Sequence, residues 1–599
     1  MKHEKNKDPK ETLQPYDQAS LDLMGSFLHA CQVMTNYNKV THANWQDIFN
    51  LDRIYKVWFS ELTRDPAKLW HAQANFFQDY FKLCQQVQTL STGEKALPLV
   101  EPEPHDKRFK AQEWHDKPYF FFLQQCYLLF SQHCKAFMLE NKSQNPVIAR
   151  QVNFFTQQIL DALSPTNFIY TNPEVIKHMI ATKGESLFLG FKHFLDDVIE
   201  GNGHFNVKMT DTSAFEIGKN VAITPGKIIF QNRMFQLIQY APATEKVFDR
   251  PLLIIPPWIN KYYILDIREK NSFVKWIVDQ GHTVFMISWV NPDSSYYETT
   301  FDDYLFEGIF KALEAIEQIT NQKEVNALGF CIGGTLLATA LAYMKATNDK
   351  RIVSSTFLTT LLDFTDPGEI AVFIDEDQLR TIENKMKVDG YLDGRVLMTT
   401  FNMLRVNDLF WPYYINNYLC GQTPFAFDLL YWNSDSVNLP QKMLSSYLRN
   451  MYLNNLLIQK GGISIKEVKL DLSAIDIPAY FLSTEQDHIA PWASTFMGAR
   501  VLSSPVTFVL GGSGHIAGVI NPPASHKYSY RYLDKNIRDY ATAEQWLSDS
   551  LPGEGSWWVH WEKWLQQYAG KQINPRIPGE GKLPILQDAP GDYVKKLIR

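Results

Sequence analysis

Hydrophobic residues change their spacing along this chain. From residue 18 to about 205 they recur at helical intervals, as in "LMGSFLHACQVM" (23–34) and "RQVNFFTQQILDALSP" (150–165). Pro165 and "TNP" at 171–173 punctuate these helices. Strand signals begin near 214, and "GKIIFQNRMFQLIQYAP" (226–242) reads as an antiparallel pair or edge. Apolar runs then alternate with helical patterns. "PLLIIPPWI" (251–259) predicts a buried strand with a proline-broken end, and "NSFVKWIVDQG" (271–281) a helix stopped by Gly281. "TVFMISWV" (283–290) predicts a second buried strand. "DDYLFEGIFKALEAIEQIT" (302–320) predicts an amphipathic helix with Leu305, Ile309, Leu313 and Ile316 on one face. "EVNALGF" (324–330) and "VSSTFLTTLLDF" (353–364) predict further strands.

Buried strands separated by helices imply a mostly parallel, doubly wound α/β sheet. After residue 364 the alternation stops for roughly 110 residues, in an aromatic-rich interval that includes "LFWPYYINNYLCGQTPFAFDLLYWNSD" (409–435). It resumes with "AYFLSTEQD" (479–487) and "VTFVLGG" (506–512). The remainder reads as helical and tryptophan-rich, with "EGSWWVHWEKWL" (554–565) packed on the sheet. The pattern therefore predicts a disordered tail over 1–17 and a mostly helical domain over 18–210. An α/β domain over 211–599 follows, carrying a cap subdomain inserted at about 365–470. No internal repeat or low-complexity block interrupts this plan.

Composition narrows the class of protein. The apolar content of these 599 residues suffices for a sizeable core, and a net charge of −7 offers no broad basic surface to nucleic acid. The polar start "MKHEKNKDPKETLQPYDQ" lacks the apolar region of a secretory signal, and no run of 18 apolar residues predicts a membrane span. Cys31, Cys84, Cys126, Cys134, Cys331 and Cys420 are scattered without a metal-binding spacing. Five of them read as reduced, mostly buried small apolar residues. Cys331 does not.

Cys331 stands in "GFCIGG", between a buried strand and a helical run. A nucleophile elbow holds its reactive residue in a strained strand-to-helix turn with glycines on both sides. Gly329, Gly333 and Gly334 supply them. The following helix start offers free N–H groups and a positive dipole end, both favourable to a thiolate and an oxyanion. The Ile332 N–H is the expected first oxyanion donor. The second is expected from the loop after strand 251–256, at Trp258 or Ile259. An acid and then a histidine should follow downstream, each in a loop after a core strand. Asp487 follows the strand at 479–484, and His515 follows the strand at 506–512. That order is the one used by α/β-hydrolases. His488 competes as base and Asp363 or Asp366 as acid, but His488 falls before the last core strand.

At these residues the chain resembles the class I polyhydroxyalkanoate synthases, from about residue 100 to the C-terminus. The resemblance lies in "SPTNFIYTNPEV" (164–175), "FEIGKNVA" (215–222), "FQLIQYAP" (235–242), "PPWINKYYILDIR" (256–268) and "GHTVFMISWVNPD" (281–293). It continues through "GFCIGG", "DLLYWNSDSVNLP" (428–440), "YLRNMYLNN" (447–455), "DHIAPW" (487–492) and "GHIAGVINPP" (514–523). The tryptophan in "PPWINK" and the "GFCxGG" elbow favour class I over class II. The first 100 residues match weakly.

The resemblance implies that Cys331 is the acylated nucleophile, His515 its base, and Asp487 the acid that supports activation of the substrate hydroxyl. It implies a thioester substrate, (R)-3-hydroxyacyl-CoA with a short side chain: 3-hydroxybutyryl-CoA is the expected one, with polyester and free CoA as products. It further implies a homodimer in the cytoplasm at the polyester granule, and no metal or redox cofactor. A thioesterase or depolymerase on the same scaffold is the alternative enzyme, and a non-catalytic granule-coating protein the alternative from another class.

Overall fold

The computed structural model describes residues 23–30, 32–33, 51–201 and 206–598. The expected tail at 1–17 lies outside the described residues, as do Cys31 and Met34 of the first expected helix; residues 23–30 and 32–33 are helical. The chain divides into two compact units. One comprises Met1–Asp211 with Arg405–Phe425, the other Thr212–Leu404 with Ala426–Arg599.

The first unit is helical. Its longer helices are α1 (Leu51–Leu62), α2 (Pro66–Ser91), α3 (Pro118–Glu140), α4 (Pro146–Ala162), α5 (Pro173–Ala181) and α6 (Glu185–Glu200). Prolines at the first turns of α2 to α5 fit there because those N–H groups have no intrahelical acceptor. The segment 405–425 packs on α6 because Gly190 carries no side chain: a Cβ there would strike the Tyr418 carbonyl. Tyr418 Oη donates to Asp197 Oδ2 at 2.6 Å, and Asn417 Nδ2 to the Lys208 carbonyl at 2.7 Å.

The second unit is built on an eleven-stranded sheet. In chain order the strands are β1 (Gly226–Gln231), β2 (Phe235–Tyr240), β3 (Leu252–Ile255), β4 (Val284–Trp289), β5 (Val325–Phe330), β6 (Ile352–Leu358), β7 (Ala479–Thr484), β8 (Val506–Gly511), β9 (Tyr530–Tyr532), β10 (Leu551–Gly553) and β11 (Gln587–Asp588). Their spatial order is β10-β9-β8-β7-β6-β5-β3-β4-β2-β1-β11. The strands from β4 across β3, β5, β6 and β7 to β8 are parallel. β2, β1 and β11 extend one edge antiparallel, and β9 and β10 the other. Every residue of β2 to β5 is buried, the few polar ones (Gln236, Gln239, Ser288 and Asn326) included, as expected of strands covered on both faces.

Three expectations are corrected. The first strand starts at Gly226, not near 214; residues 212–225 hold a single 3-10 turn and a loop that reverses at Gly218, whose φ is +90°. The expected helix over 302–320 forms, with its four named residues buried, but Tyr304–Phe310 is wound as a π-helix ahead of α8 (Lys311–Thr320). There Gly308 lies against the Trp289 ring, where a Cβ would collide. The chain after β8 is less helical than its tryptophans suggest, since β9 and β10 continue the sheet before the helix Trp557–Gln566.

The interval 365–470 is largely helical, including α10 (Glu376–Asp389), α11 (Gly394–Met403), α12 (Asp428–Ser434) and α13 (Gln441–Tyr447). Its stretch Arg405–Phe425 belongs to the helical unit. Of the described cysteines all are free thiols, but only Cys420 is fully buried, and Cys84 is exposed.

Candidate active site

Cys331 sits between β5 and the helix Ile332–Ala346 with φ 52° and ψ −123°. Such a backbone costs a non-glycine residue of order 1–3 kcal/mol and persists only where its surroundings enforce it. Here they do. The Cys331 N–H donates to the Leu358 carbonyl on β6 at 2.9 Å, and its carbonyl accepts from Gly334 N–H at 2.9 Å and Thr360 Oγ1 at 3.2 Å. The flanking glycines are required by close approach. A Cβ on Gly329 would strike the backbone of Gly333 and Gly334, and one on Gly333 the carbonyls of Ile255 and Pro256. The elbow is thus pressed against the end of β3, where the loop bearing Trp258 and Ile259 begins. The Ile332 N–H opens the helix, where the first N–H groups have no intrahelical acceptor.

Asp487 and His515 come together beyond the neighbouring strands β7 and β8. His515 Nδ1 lies 2.7 Å from Asp487 Oδ2, and both residues are buried. The other carboxylate oxygen accepts from the N–H groups of Ile489 at 2.9 Å and Ala490 at 2.8 Å, which fixes the carboxylate. His515 also stacks on Phe330, with ring centroids 5.7 Å apart. Its imidazole is paired with Asp487 and lies within electrostatic reach of Cys331. Burial opposes protonation of His515, but the neighbouring Asp487 and Cys331 outweigh it and push the group up to about 10.

The competing residues stand elsewhere in the hydrogen-bond network. Asp363 Oδ1 accepts from Thr365 N–H and Oγ1 and from Asn455 Nδ2. Asp366 accepts from Gly368 N–H and, through its carbonyl, from Ser494. His488 follows Asp487 before β8, while the ring bonded to Asp487 is that of His515. The Trp258 side chain is buried among Trp289, Phe301 and Tyr304.

Periodicity alone does not reveal several supporting residues. Tyr447 is buried and Tyr452 half-buried, both within electrostatic reach of Cys331; desolvation raises the pKa of both phenols. Both lie in "YLRNMYLNN", so the sequence marked the segment without marking its neighbour. The tryptophan helix Trp557–Gln566 carries the histidine loop. Trp557 Nε1 donates to the Gly518 carbonyl at 3.0 Å and Trp558 Nε1 to the Val519 carbonyl at 2.9 Å. Among the described residues no cluster of His, Cys, Asp and Glu is placed to hold a metal ion, and no helix is long and apolar enough to cross a membrane.

A cysteine elbow in a mostly parallel sheet, with a His–Asp pair beyond the next strands, defines an α/β-hydrolase-fold enzyme. Residues 251–522 match the family model described as "alpha/beta hydrolase fold", and residues 105–277 the one described as "Poly-beta-hydroxybutyrate polymerase (PhaC) N-terminus". The chain is 44% identical over 546 residues to "Poly(3-hydroxyalkanoate) polymerase" of Methylorubrum extorquens, covering 91% of this chain and 89% of that one. It is 43% identical to "Poly(3-hydroxyalkanoate) polymerase subunit PhaC" of Rhizobium meliloti (strain 1021), covering 91% and 88%. Its counterpart of the same name in Cupriavidus necator is 40% identical, with coverage of 88% and 89%. The chain belongs to the poly(3-hydroxyalkanoate) polymerase family, whose members are acyltransferases.

Proposed function

We propose that this enzyme polymerises (R)-3-hydroxyacyl-CoA, with 3-hydroxybutyryl-CoA the foremost substrate, through a covalent acyl thioester on Cys331. The observation that carries the reading is the buried His515–Asp487 pair, with Cys331 of the strained elbow within its electrostatic reach. His515 takes the thiol proton, and the Cys331 thiolate attacks the thioester carbonyl. The resulting oxyanion is held by the Ile332 N–H and by the N–H of Trp258 or Ile259. The C–S bond to CoA breaks, and CoA leaves with the proton from His515. The 3-hydroxyl of a second unit then attacks the acyl–Cys331 carbonyl while His515, supported by Asp487, takes its proton. An ester forms, and Cys331 returns as the thiolate.

A thiol suits this cycle because its ester with the growing chain stays activated toward a hydroxyl. The parts of the insertion around Tyr447 and Tyr452 support a cover that limits water, the competing acceptor. The chemistry needs no metal or redox cofactor; CoA arrives on the substrate and leaves as product. Work as a homodimer at a granule surface in the cytoplasm is part of this proposal and rests on family membership alone.

Purified enzyme supplied with 3-hydroxybutyryl-CoA is expected to release CoA and yield polyester. Cys331→Ala should abolish both, and Cys331→Ser should be nearly inactive, because a hydroxyl is far less acidic than the thiol the site is arranged for. Substantial turnover by the alanine variant would overturn the nucleophile. Free hydroxybutyrate as the main wild-type product would favour the thioesterase.

A further inference from the structure

The loop that follows β3 is fastened at several points to one short stretch of the insertion. The Ile259 carbonyl accepts from the Val437 N–H at 3.1 Å, and Asn260 bridges Ser436 in antiparallel fashion. The Lys261 carbonyl accepts from Trp432 Nε1 at 2.7 Å. Three consecutive loop residues are therefore fastened to residues 432–437. The side chains repeat the connection. Lys261 Nζ lies 2.9 Å from Asp435 Oδ1, with both side chains buried. Tyr263 Oη donates to Asp435 Oδ2 at 2.8 Å, and Lys261 Nζ also donates to the Lys596 carbonyl at 3.0 Å. Asn291 Nδ2 reaches the same carbonyl at 3.2 Å and accepts through Oδ1 from the Asn438 N–H.

A buried ion pair is a poor device for stability alone, since well-packed apolar side chains of similar volume serve as well or better. Its directional bonds instead fix a register. We infer that Lys261 and Asp435 are positioning residues that set the oxyanion loop at Trp258 and Ile259 against the elbow, so that the insertion must be seated for acyl transfer to proceed. This rests on the proposed acyl-enzyme at Cys331. The pair touches neither thiol nor substrate; it acts through the main chain two and three residues upstream of Lys261.

The test separates thiolate formation from oxyanion binding. Alkylation of Cys331 by iodoacetamide needs the thiolate and no oxyanion hole, whereas single-turnover CoA release from 3-hydroxybutyryl-CoA needs both. Lys261→Met and Asp435→Asn are expected to keep alkylation within about threefold of wild type, while CoA release falls by about 10²-fold, the scale of losing one oxyanion donor. KM should move far less than kcat. The double variant Lys261→Met with Asp435→Leu removes both charges and guards against misfolding of the single ones. It should melt near the wild-type temperature yet still release CoA slowly. Full recovery of CoA release in the double variant would overturn the inference, because the pair would then serve stability alone. Parallel loss of alkylation and CoA release, or a double variant that fails to fold, would do the same. Unimpaired CoA release in Cys331→Ala would instead overturn the acyl-enzyme reading beneath it.

Discussion

His515 Nδ1 and Asp487 Oδ2, 28 residues apart in sequence, meet at 2.7 Å because β7 and β8 are adjacent and parallel and both loops leave from the same end. This contact occupies Nδ1 and leaves Nε2 as the ring nitrogen that serves the thiol in the proposed cycle. If Asp487 only orients the ring, its loss should harm both half-reactions alike. A thiol, already more acidic than a hydroxyl, depends less on the carboxylate. Asp487→Asn is therefore expected to acylate Cys331 within about tenfold of wild type and to extend the chain 10²–10⁴-fold more slowly. Single-turnover and multiple-turnover CoA release, measured side by side, check this; proportional loss would return Asp487 to ring orientation.

The charge on His515 sets a pH dependence. Its folded pKa is raised above the ordinary histidine value of about 6.5, up to about 10. Its contribution to stability is thus complete below about pH 6.5 and is lost as pH rises toward 10. The difference in unfolding free energy between wild type and His515→Gln should shrink across that window, by at most about 1.4 kcal/mol per pH unit. Urea unfolding at pH 6.5, 8 and 10 measures it, and a difference that grows with pH would contradict the charged imidazole.

Gly333 touches the end of β3 so closely that an added methyl must displace the Ile255 and Pro256 carbonyls. Gly333→Ala is expected to destabilise the protein by about 1–3 kcal/mol. It should also cut CoA release by at least about tenfold, because the displaced segment leads into the oxyanion loop. A folded alanine variant with normal turnover would show that the loop does not depend on this approach.

Trp558 supports the histidine loop through one indole N–H on the Val519 carbonyl. Trp558→Phe keeps an aromatic ring and removes this bond, while the carbonyl still accepts from the Asn521 N–H at 3.0 Å, so the cost is about 0.5–1.5 kcal/mol. Alkylation of Cys331 should slow several-fold as His515 loses its fixed position. Unchanged stability and alkylation together would reduce Trp558 to apolar packing.

The proposed cover makes a prediction for proteolysis. The stretch 421–427 has no helix or strand, and Phe425 is well exposed. Limited proteolysis of the free enzyme is expected to nick there, with protection once acyl-CoA is bound. Cleavage elsewhere, unaffected by substrate, would argue against a moving insertion.

The sequence by itself determined the parallel core and the order of its chemistry. Strands buried on both faces must be continuously apolar, so β3 to β8 were visible as runs. An elbow needs glycines where the backbone crowds, so "GFCIGG" marked Cys331 before any fold was known. The same rule placed Asp487 and His515 at strand ends. Local pattern was silent wherever a partner is distant in sequence. The π-helix at Tyr304–Phe310 coincides with the approach of Gly308 to Trp289, and β9 and β10 are short strands added in turn beyond β8, β10 forming the edge. Trp557 and Trp558 read as core packing, and only the tertiary structure aimed their indoles at Gly518 and Val519. Tyr447 beside Cys331 and Lys261 against Asp435 likewise join segments more than a hundred residues apart. Periodicity records which side of an element avoids water; which distant side chain it then meets is decided by packing, and that is where the site acquired its supports.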